Sequence, residues 1–187
     1  MVYEKGQSMS EEYRRARRIA YTAAFAALLA IASYVSFGLP FTDVPFTLQV
    51  LVVLLAGLVL GPGLGALSVV LYIALGAVGA PVFAGGAAGI GVVLGPLGGY
   101  ILSWPFAAAI AGATAQRGLW ARLLGVLGGI AVIYLGGVTG LHLAQGVTWR
   151  NGVLLGALPF LPFDLLKGIV AALIAPPLRR LAQQQEA

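Results

Sequence analysis

Two charged side chains lie three residues apart in an apolar stretch near the carboxyl end of the chain, in the segment PFDLLKG at 162–168. A charged side chain at the centre of a membrane costs at least about 2.5 kcal/mol on insertion scales. Residues at positions i and i+3 share a helix face, so Asp164 and Lys167 can pair. Pairing explains how the charges are tolerated, but two leucines would insert more readily. We therefore expect a polar site for a solute. The alternative is an interhelical tie that fixes the register of the helices.

The elements that carry this pair are predicted to lie in lipid. Of the 187 residues, 60% are hydrophobic and 9% are charged, and the mean hydropathy is +0.96. A soluble domain is typically about 25% charged. The chain holds several apolar runs joined by short connections, which predicts one all-α integral membrane domain. The net charge of +5 comes without a basic face interleaved with aromatic residues, so no nucleic-acid partner is expected.

Six apolar segments predict six transmembrane helices. They span 19–39, 46–60, 64–80, 92–116 (interrupted near Gly95-Pro96), 119–145 and 152–178, with Pro176-Pro177 ending the last. A basic segment at 1–18 and a tail at 179–187 flank this domain at 19–178. Every arginine except Arg150 lies in or beside the two tails and the connections at 61–63 and 116–120. Because cytoplasmic loops carry the excess of Lys and Arg, we expect both termini in the cytoplasm and a multi-pass protein of the cell membrane.

Other polar and aromatic side chains are expected, like Asp164, near the extracellular side of the membrane. Gln49 can both donate and accept hydrogen bonds. Tyr100 follows a Gly-Gly pair and is expected to line the site, whereas Trp104 fits an interfacial aromatic belt equally well. Glycines in the connection at 81–91 would let the backbone approach a ligand closely. A matching solute would be mostly apolar, with a few hydrogen-bonding groups.

The first helix carries small residues at four-residue spacing, which lets another helix approach closely in lipid. These residues are Ala20, Ala23, Ala24, Ala26, Ala27 and Ala30. An equal alternative is that alanine is simply common in apolar helices. The sequence alone therefore leaves a docking face on this helix open.

The sequence lacks the residues that several kinds of chemistry require. The chain has no cysteine and one histidine, so His142 cannot form a metal site alone, and we expect a structural or lipid-interface role for it. There is no G-x-x-x-x-G-K-[ST] loop, so the chain is not expected to hydrolyse ATP. It has no H-E-x-x-H motif, and we expect neither an enzyme nor a bound cofactor or metal.

Four motifs in order give the chain a family resemblance. They are PFTLQ at 45–49, LGAVGAPVFAGG at 75–86, GPLGGY at 95–100 and DLLK at 164–167. In these motifs, and over roughly residues 20–178, the chain resembles the biotin-specific substrate-binding (S) subunits of energy-coupling-factor (ECF) transporters, the BioY family. The word biotin comes only from this resemblance.

The resemblance implies an ECF S-component fold of six helices that binds biotin from outside. It implies docking onto a transmembrane coupling subunit that carries two cytosolic ABC-type ATPases, with the alanine-rich first helix as the docking face. It also implies a biotin site at Asp164 and Lys167. Further motif positions near that site are Gln49, Thr47, Phe83, Gly85, Gly86 and Tyr100. We expect Asp164 to accept from the ureido N–H groups, and Lys167 to donate to the ureido oxygen or the carboxylate.

Three other interpretations remain open. The chain could be an S-subunit for another vitamin, such as thiamine or riboflavin, although the PFDLLKG and PVFAGG segments argue against it. It could be a self-contained carrier or channel that moves a small solute without ATPases. It could also be a membrane scaffold in which Asp164 and Lys167 form only a structural pair.

Overall fold

A computed structural model describes the backbone of residues 2–183 and the side chains of residues 11–182. This part of the chain is mostly helical. Its elements are α1 (Val2–Tyr34), β1 (Ser36–Leu39), β2 (Thr42–Thr47), α2 (Gln49–Leu60), α3 (Pro62–Ala77), a 3₁₀ turn (Ala84–Gly86), α4 (Ile90–Leu94), α5 (Gly98–Ala113), α6 (Leu119–Gln145), α7 (Trp149–Gly156) and α8 (Leu161–Gln183). Residues 184–187 of the predicted tail lie outside the described residues.

The predicted helical segments correspond to α1, α2, α3, α5, α6 and α8. The sixth segment, 152–178, was wrong as a single helix, because α7 ends at Gly156 and α8 begins at Leu161. Among the described residues, three helical stretches are long and apolar enough to cross a membrane: Glu11–Tyr34, Leu119–Gln145 and Leu161–Ala182. The helices Gln49–Leu60 and Pro62–Ala77 are apolar but shorter. The predicted interruption near Gly95-Pro96 is confirmed, since it separates α4 from α5. The fold is therefore that of a helical membrane protein.

A β-hairpin replaces the end of the predicted first helix, so the expectation of an all-α chain was wrong there. Helix α1 ends at Tyr34, and β1 pairs with β2 in an antiparallel sheet of two strands. Ser36 pairs with Thr47 and Phe37 with Phe46. Glycine and proline in this stretch disfavour a helix, and β-branched and aromatic residues favour a pleated strand. The hairpin delivers Thr47 to the start of α2.

Helix α8 passes through Pro176 and Pro177 and continues to Gln183, so the expected end at these prolines was wrong. Pro176 has no N–H to donate to the carbonyl of Ala172 one turn earlier. The Arg122 guanidinium on α6 donates to that carbonyl, with Nη1 2.9 Å from the oxygen. This side-chain donor replaces the missing backbone donor, which lets the helix continue.

A second arginine also bonds to a carbonyl that a proline leaves without a donor, at the turn between α2 and α3. Pro62 begins α3 and leaves the carbonyl of Leu58 without its usual donor. Nη1 of Arg179, on α8, lies 3.3 Å from that carbonyl oxygen. Arg122 and Arg179, which the sequence suggested only as topology charges, therefore also join α8 to α6 and to α2.

Four helices, α2, α5, α6 and α8, pack in a ring. Helix α5 contacts α2 and α6, and α8 contacts the same two from the other side. The contact between α5 and α6 depends on missing side chains: a Cβ at Gly99 would collide with the backbone of Gly136 and Gly140. Small residues allow this close approach in lipid, where packing rather than hydrophobic exclusion drives helix association. The ring encloses the space described next.

We expect Arg122→Leu to destabilise the protein by about 1–3 kcal/mol, because it leaves a buried carbonyl without a donor. The measurement is thermal unfolding in detergent. Arg117→Leu is the matched control, since Arg117 is exposed at the same end of the bundle. In a Pro176→Ala background, residue 176 can donate to Ala172, and the loss should be much smaller. An equal loss in both backgrounds would contradict this explanation of the proline passage.

Candidate functional site

A cavity opens among the ring helices, α3 and the segment after α3. The space between its walls, including its open mouth, is about 740 Å³. Most of its wall is apolar, and a few polar side chains point to it from separate elements. The lining residues are Val44, Pro45, Thr47, Gln49, Val50, Tyr72, Phe83, Ala84, Ala87, Val92, Leu97, Tyr100, Ile101, Trp104, Ile133, Tyr134, Gly156, Phe160, Asp164 and Lys167.

Asp164 and Lys167 form the charged part of this wall. Asp164 lies in the first turn of α8, where the positive end of the helix dipole favours a carboxylate. Lys167 follows one turn later, and its Nζ lies 2.7 Å from Oδ1 of Asp164. The two residues are 5% and 8% exposed, respectively. The pair is therefore a buried ion pair that borders an open cavity.

Further contacts hold each member of the pair in place. The Tyr134 hydroxyl on α6 donates to Oδ2 of Asp164 at 2.7 Å. The Lys167 ammonium donates to the backbone carbonyl of Thr47 at 2.7 Å, and it lies 3.9 Å from the centre of the Phe46 ring. Removing one member of this pair would leave the other charge buried without a partner. That change destabilises a protein more than replacing both charges with apolar residues. The contacts use one lone pair on each carboxylate oxygen and two of the three ammonium protons, so both groups keep hydrogen-bonding capacity.

A second set of hydrogen-bonded polar groups links α2 and α3 in the cavity wall. The side-chain amide of Gln49, which is 2% exposed, donates to the Tyr72 hydroxyl at 2.5 Å. Tyr72 in turn donates to the carbonyl of Val82 at 2.9 Å. The Thr47 hydroxyl accepts from the backbone N–H of Gln49 at 3.2 Å. This chain of bonds fixes the start of α2 and the segment after α3 against each other.

Tyr100 and Phe83 shape the remaining wall. The Tyr100 hydroxyl donates to the carbonyl of Gly156 at 2.8 Å, which ties α5 to the end of α7. Phe83 is 2% exposed and packs edge to face on Tyr72, with ring centres 5.6 Å apart. A Cβ at Gly76 would collide with this ring, which explains the glycine there.

Of the predicted site residues, two do not line the cavity. Gly85 and Gly86 have positive φ values of 68° and 77°, which glycine adopts without strain. Gly85 is exposed, and the cavity is lined instead by Ala84 and Ala87 on either side. The two glycines therefore shape the loop. The predicted residues that the structure does bring together at the cavity are Asp164, Lys167, Tyr100, Gln49, Phe83 and Thr47, and their binding role stays a prediction.

The structure adds Tyr72 and Tyr134, which sequence reasoning missed. Both lie in apolar helices, where a tyrosine hydroxyl usually needs a partner. That requirement was the available signal, since it marks a tyrosine as pointing to a polar group. The partners themselves lie far away in sequence and could not be named in advance.

Outside the cavity, the alanines of the first helix do not share one face. Ala26 is 3% exposed and Ala30 is partly buried, so both pack into the protein. The others, Ala20, Ala23, Ala24 and Ala27, are exposed. In the described part of the chain, no group of three His, Cys, Asp or Glu side chains could hold a metal. Nδ1 of His142 lies 2.8 Å from the carbonyl of Val147, and its ring stacks on Trp149.

Comparison with known proteins adds independent information. The model of the BioY family matches residues 6–184. The chain is 44% identical to the probable biotin transporter BioY of Pyrococcus horikoshii, over 88% of this chain and 98% of that protein. It is 39% identical to the biotin transporter BioY of Thermotoga maritima, over 88% of this chain and 97% of that protein.

A solved structure has the same fold. It is the crystal structure at 2.1 Å of the S-component for biotin from an ECF-type ABC transporter. The TM-score is 0.82 at 28% sequence identity, and the match covers 92% of this chain and 94% of that chain. The fold and the sequence thus agree on the same group of proteins.

We expect Lys167→Met to destabilise the protein by about 3 kcal/mol, because it leaves the Asp164 carboxylate buried without its partner. The control is the double variant Asp164→Leu/Lys167→Leu, which removes both charges and should recover most of the loss. Thermal unfolding in detergent without added ligand measures both. If Lys167→Met unfolds at the wild-type temperature, the pair does not have the buried geometry described above.

Proposed function

The chain belongs to the BioY family, and from that premise we propose that it captures biotin as the substrate-binding subunit of an ECF transporter. The observation that carries the proposal is the buried pair of Asp164 and Lys167 at the wall of a cavity in a chain of this family. Neither the thiamine and riboflavin alternatives nor an independent channel has an observation in its favour. Biotin is the transported substrate, and we assign no cofactor and no catalytic residue.

The ureido group and the apolar part of biotin match different parts of the cavity. The ureido group presents an N–H beside a carbonyl, and Asp164 and Lys167 present an acceptor beside a donor. We propose that Asp164 accepts from a ureido N–H and that Lys167 uses its third proton on the ligand. The sulphur-containing ring of biotin and the methylene groups of its side chain would contact the walls that Phe83, Ile133 and Phe160 provide.

We further propose that six helices cross the cell membrane, with both termini in the cytoplasm and the domain boundaries near 18 and 179. The support is the charge distribution, since Arg117, Arg122 and Arg179 lie towards one end of the bundle and the cavity with its hairpin lies towards the other. The shorter helices α2 and α3 pack against α1, α5 and each other, and a tight turn joins them.

We propose that partner subunits drive the delivery of biotin, as the match to an S-component of an ECF-type ABC transporter suggests, and the chain itself has no phosphate-binding loop. We propose a transmembrane coupling subunit and two cytosolic ABC-type ATPases. The exposed alanines of α1 (Ala20, Ala23, Ala24 and Ala27) provide a surface with little side-chain bulk, which suits close helix contact. We leave Ala26 and Ala30 out of the proposed face, because Ala26 is buried and Ala30 is partly buried against the protein itself.

Calorimetry tests the proposed function directly. The purified protein, stripped of co-purified ligand, is titrated in detergent with biotin, thiamine and riboflavin. We expect one-to-one binding of biotin alone. Binding of thiamine or riboflavin instead would keep the subunit class and reject the substrate. The absence of binding by folded protein would reject the substrate-binding function.

We expect Asp164→Asn to weaken biotin binding at least about tenfold, because the amide loses the negative charge that accepts from biotin and pairs with Lys167. The matched control is Asp43→Asn: Asp43 is exposed in the hairpin and bonds to Gln145 at 3.2 Å, outside the cavity. The control should bind as the wild type does. Equal affinity of wild type and Asp164→Asn would remove Asp164 from the binding site.

We expect Ala24→Leu to weaken assembly with the coupling subunit by about tenfold or more while biotin binding by the isolated chain stays unchanged. The larger side chain keeps a partner helix from close approach. Ala131→Leu is the control, because Ala131 is an exposed alanine on α6. Co-purification from membranes measures assembly. A similar effect of both variants would argue against a docking face on α1.

A further inference from the structure

One polar group at the cavity has no assigned role. Trp104 on α5 lines the cavity and is 6% exposed. Its indole N–H is buried, and no acceptor lies within hydrogen-bonding distance in the described part of the chain. Trp104 therefore does not lie in an exposed interfacial belt, which was one of the two interpretations of it. A buried N–H that has lost its water needs another acceptor, and leaving it without one is costly.

Neither of the two tyrosines near this indole accepts a hydrogen bond from it. Tyr72 packs beside it with ring centres 6.0 Å apart, and the Tyr72 hydroxyl accepts from Gln49 and donates to Val82. The Tyr100 hydroxyl, one turn earlier on α5, donates to Gly156. The surrounding walls fix the ring, while the N–H remains without a protein partner.

Trp104 and Asp164 line the same cavity from two different helices. Helices α5 and α8 both pack against α2 and α6 but have little contact with each other, so they lie across the ring. Ser103 and Gly136 meet where α5 contacts α6. Tyr134, which bonds to Asp164, lies two residues from Gly136, or about 3 Å along the helix. A ligand held at Asp164 would thus extend towards the wall that carries Trp104.

We infer that the indole N–H of Trp104 is a ligand-binding donor that bonds to an oxygen of biotin on the wall opposite Asp164. This inference rests on the proposed function, because the ligand supplies the acceptor that the protein lacks. It makes recognition two-sided: Asp164 selects an N–H on one part of the ligand, and Trp104 selects an acceptor on another. A solute with only one of these groups would leave a buried polar atom unpaired.

The test removes the N–H while keeping the shape of the ring. Of the three tryptophans, Trp120 and Trp149 are 80% and 54% exposed, so Trp120→Phe/Trp149→Phe serves as the parent with Trp104 alone. Growth of a tryptophan auxotroph on benzothienylalanine then replaces the indole N–H of residue 104 by sulphur. Trp104→Phe, made in the same parent, is a second variant that lacks the N–H. Calorimetry with biotin and thermal unfolding without it are measured for each.

We expect the parent to bind biotin as the wild type does, and both variants to bind about tenfold more weakly. The sulphur analogue should unfold at the temperature of the parent. In ¹⁵N spectra of the parent, the single indole N–H signal should move downfield when biotin is added. Equal affinity of the parent and the sulphur analogue would overturn the inference and leave the proposed function intact. Failure of the parent and the wild type to bind biotin would overturn both.

Discussion

The ion pair between Asp164 and Lys167 is the interaction on which the site depends. It joins α8 to α6 through Tyr134 and to the hairpin through the carbonyl of Thr47. In an apolar protein, such a pair persists only where every charge finds partners, because desolvation of an unpaired charge costs more than most contacts return. The pair therefore fixes three separate elements at the wall of one cavity and leaves spare hydrogen-bonding capacity directed at it.

The rest of the fold supplies rigidity around this pair. Glycines bring α5 against α6, and a side chain at Gly137 or Gly156 would collide with Tyr100. Arginines at the other end of the bundle bond to carbonyls that prolines leave without donors. Close helix packing and these hydrogen bonds to backbone carbonyls thus hold the helices in place. A cavity with a stable shape can then recognise one solute by a few polar groups.

Local patterns predicted those features that depend on local chemistry. Helix α6 coincides with the predicted apolar run 119–145. The i, i+3 spacing of Asp164 and Lys167 predicted their pairing. Features that depend on distant partners were not predictable. Nothing near Pro176 in sequence indicates that Arg122 would supply a donor and let α8 continue. Likewise, no neighbour of Tyr134 marks it as a partner of Asp164. The hairpin at 36–47 was missed because its apolar residues continue the pattern of α1.

The most direct measurement is a crystal structure of the chain with biotin bound. We expect biotin in the cavity between α5 and α8, with a ureido nitrogen about 2.9 Å from a carboxylate oxygen of Asp164. The contact between Asp164 and Lys167 should persist in the complex. Biotin bound elsewhere, for example in the groove between the hairpin and α6 that Asp43 and Gln145 line, would show that Asp164 and Lys167 do not form the binding site.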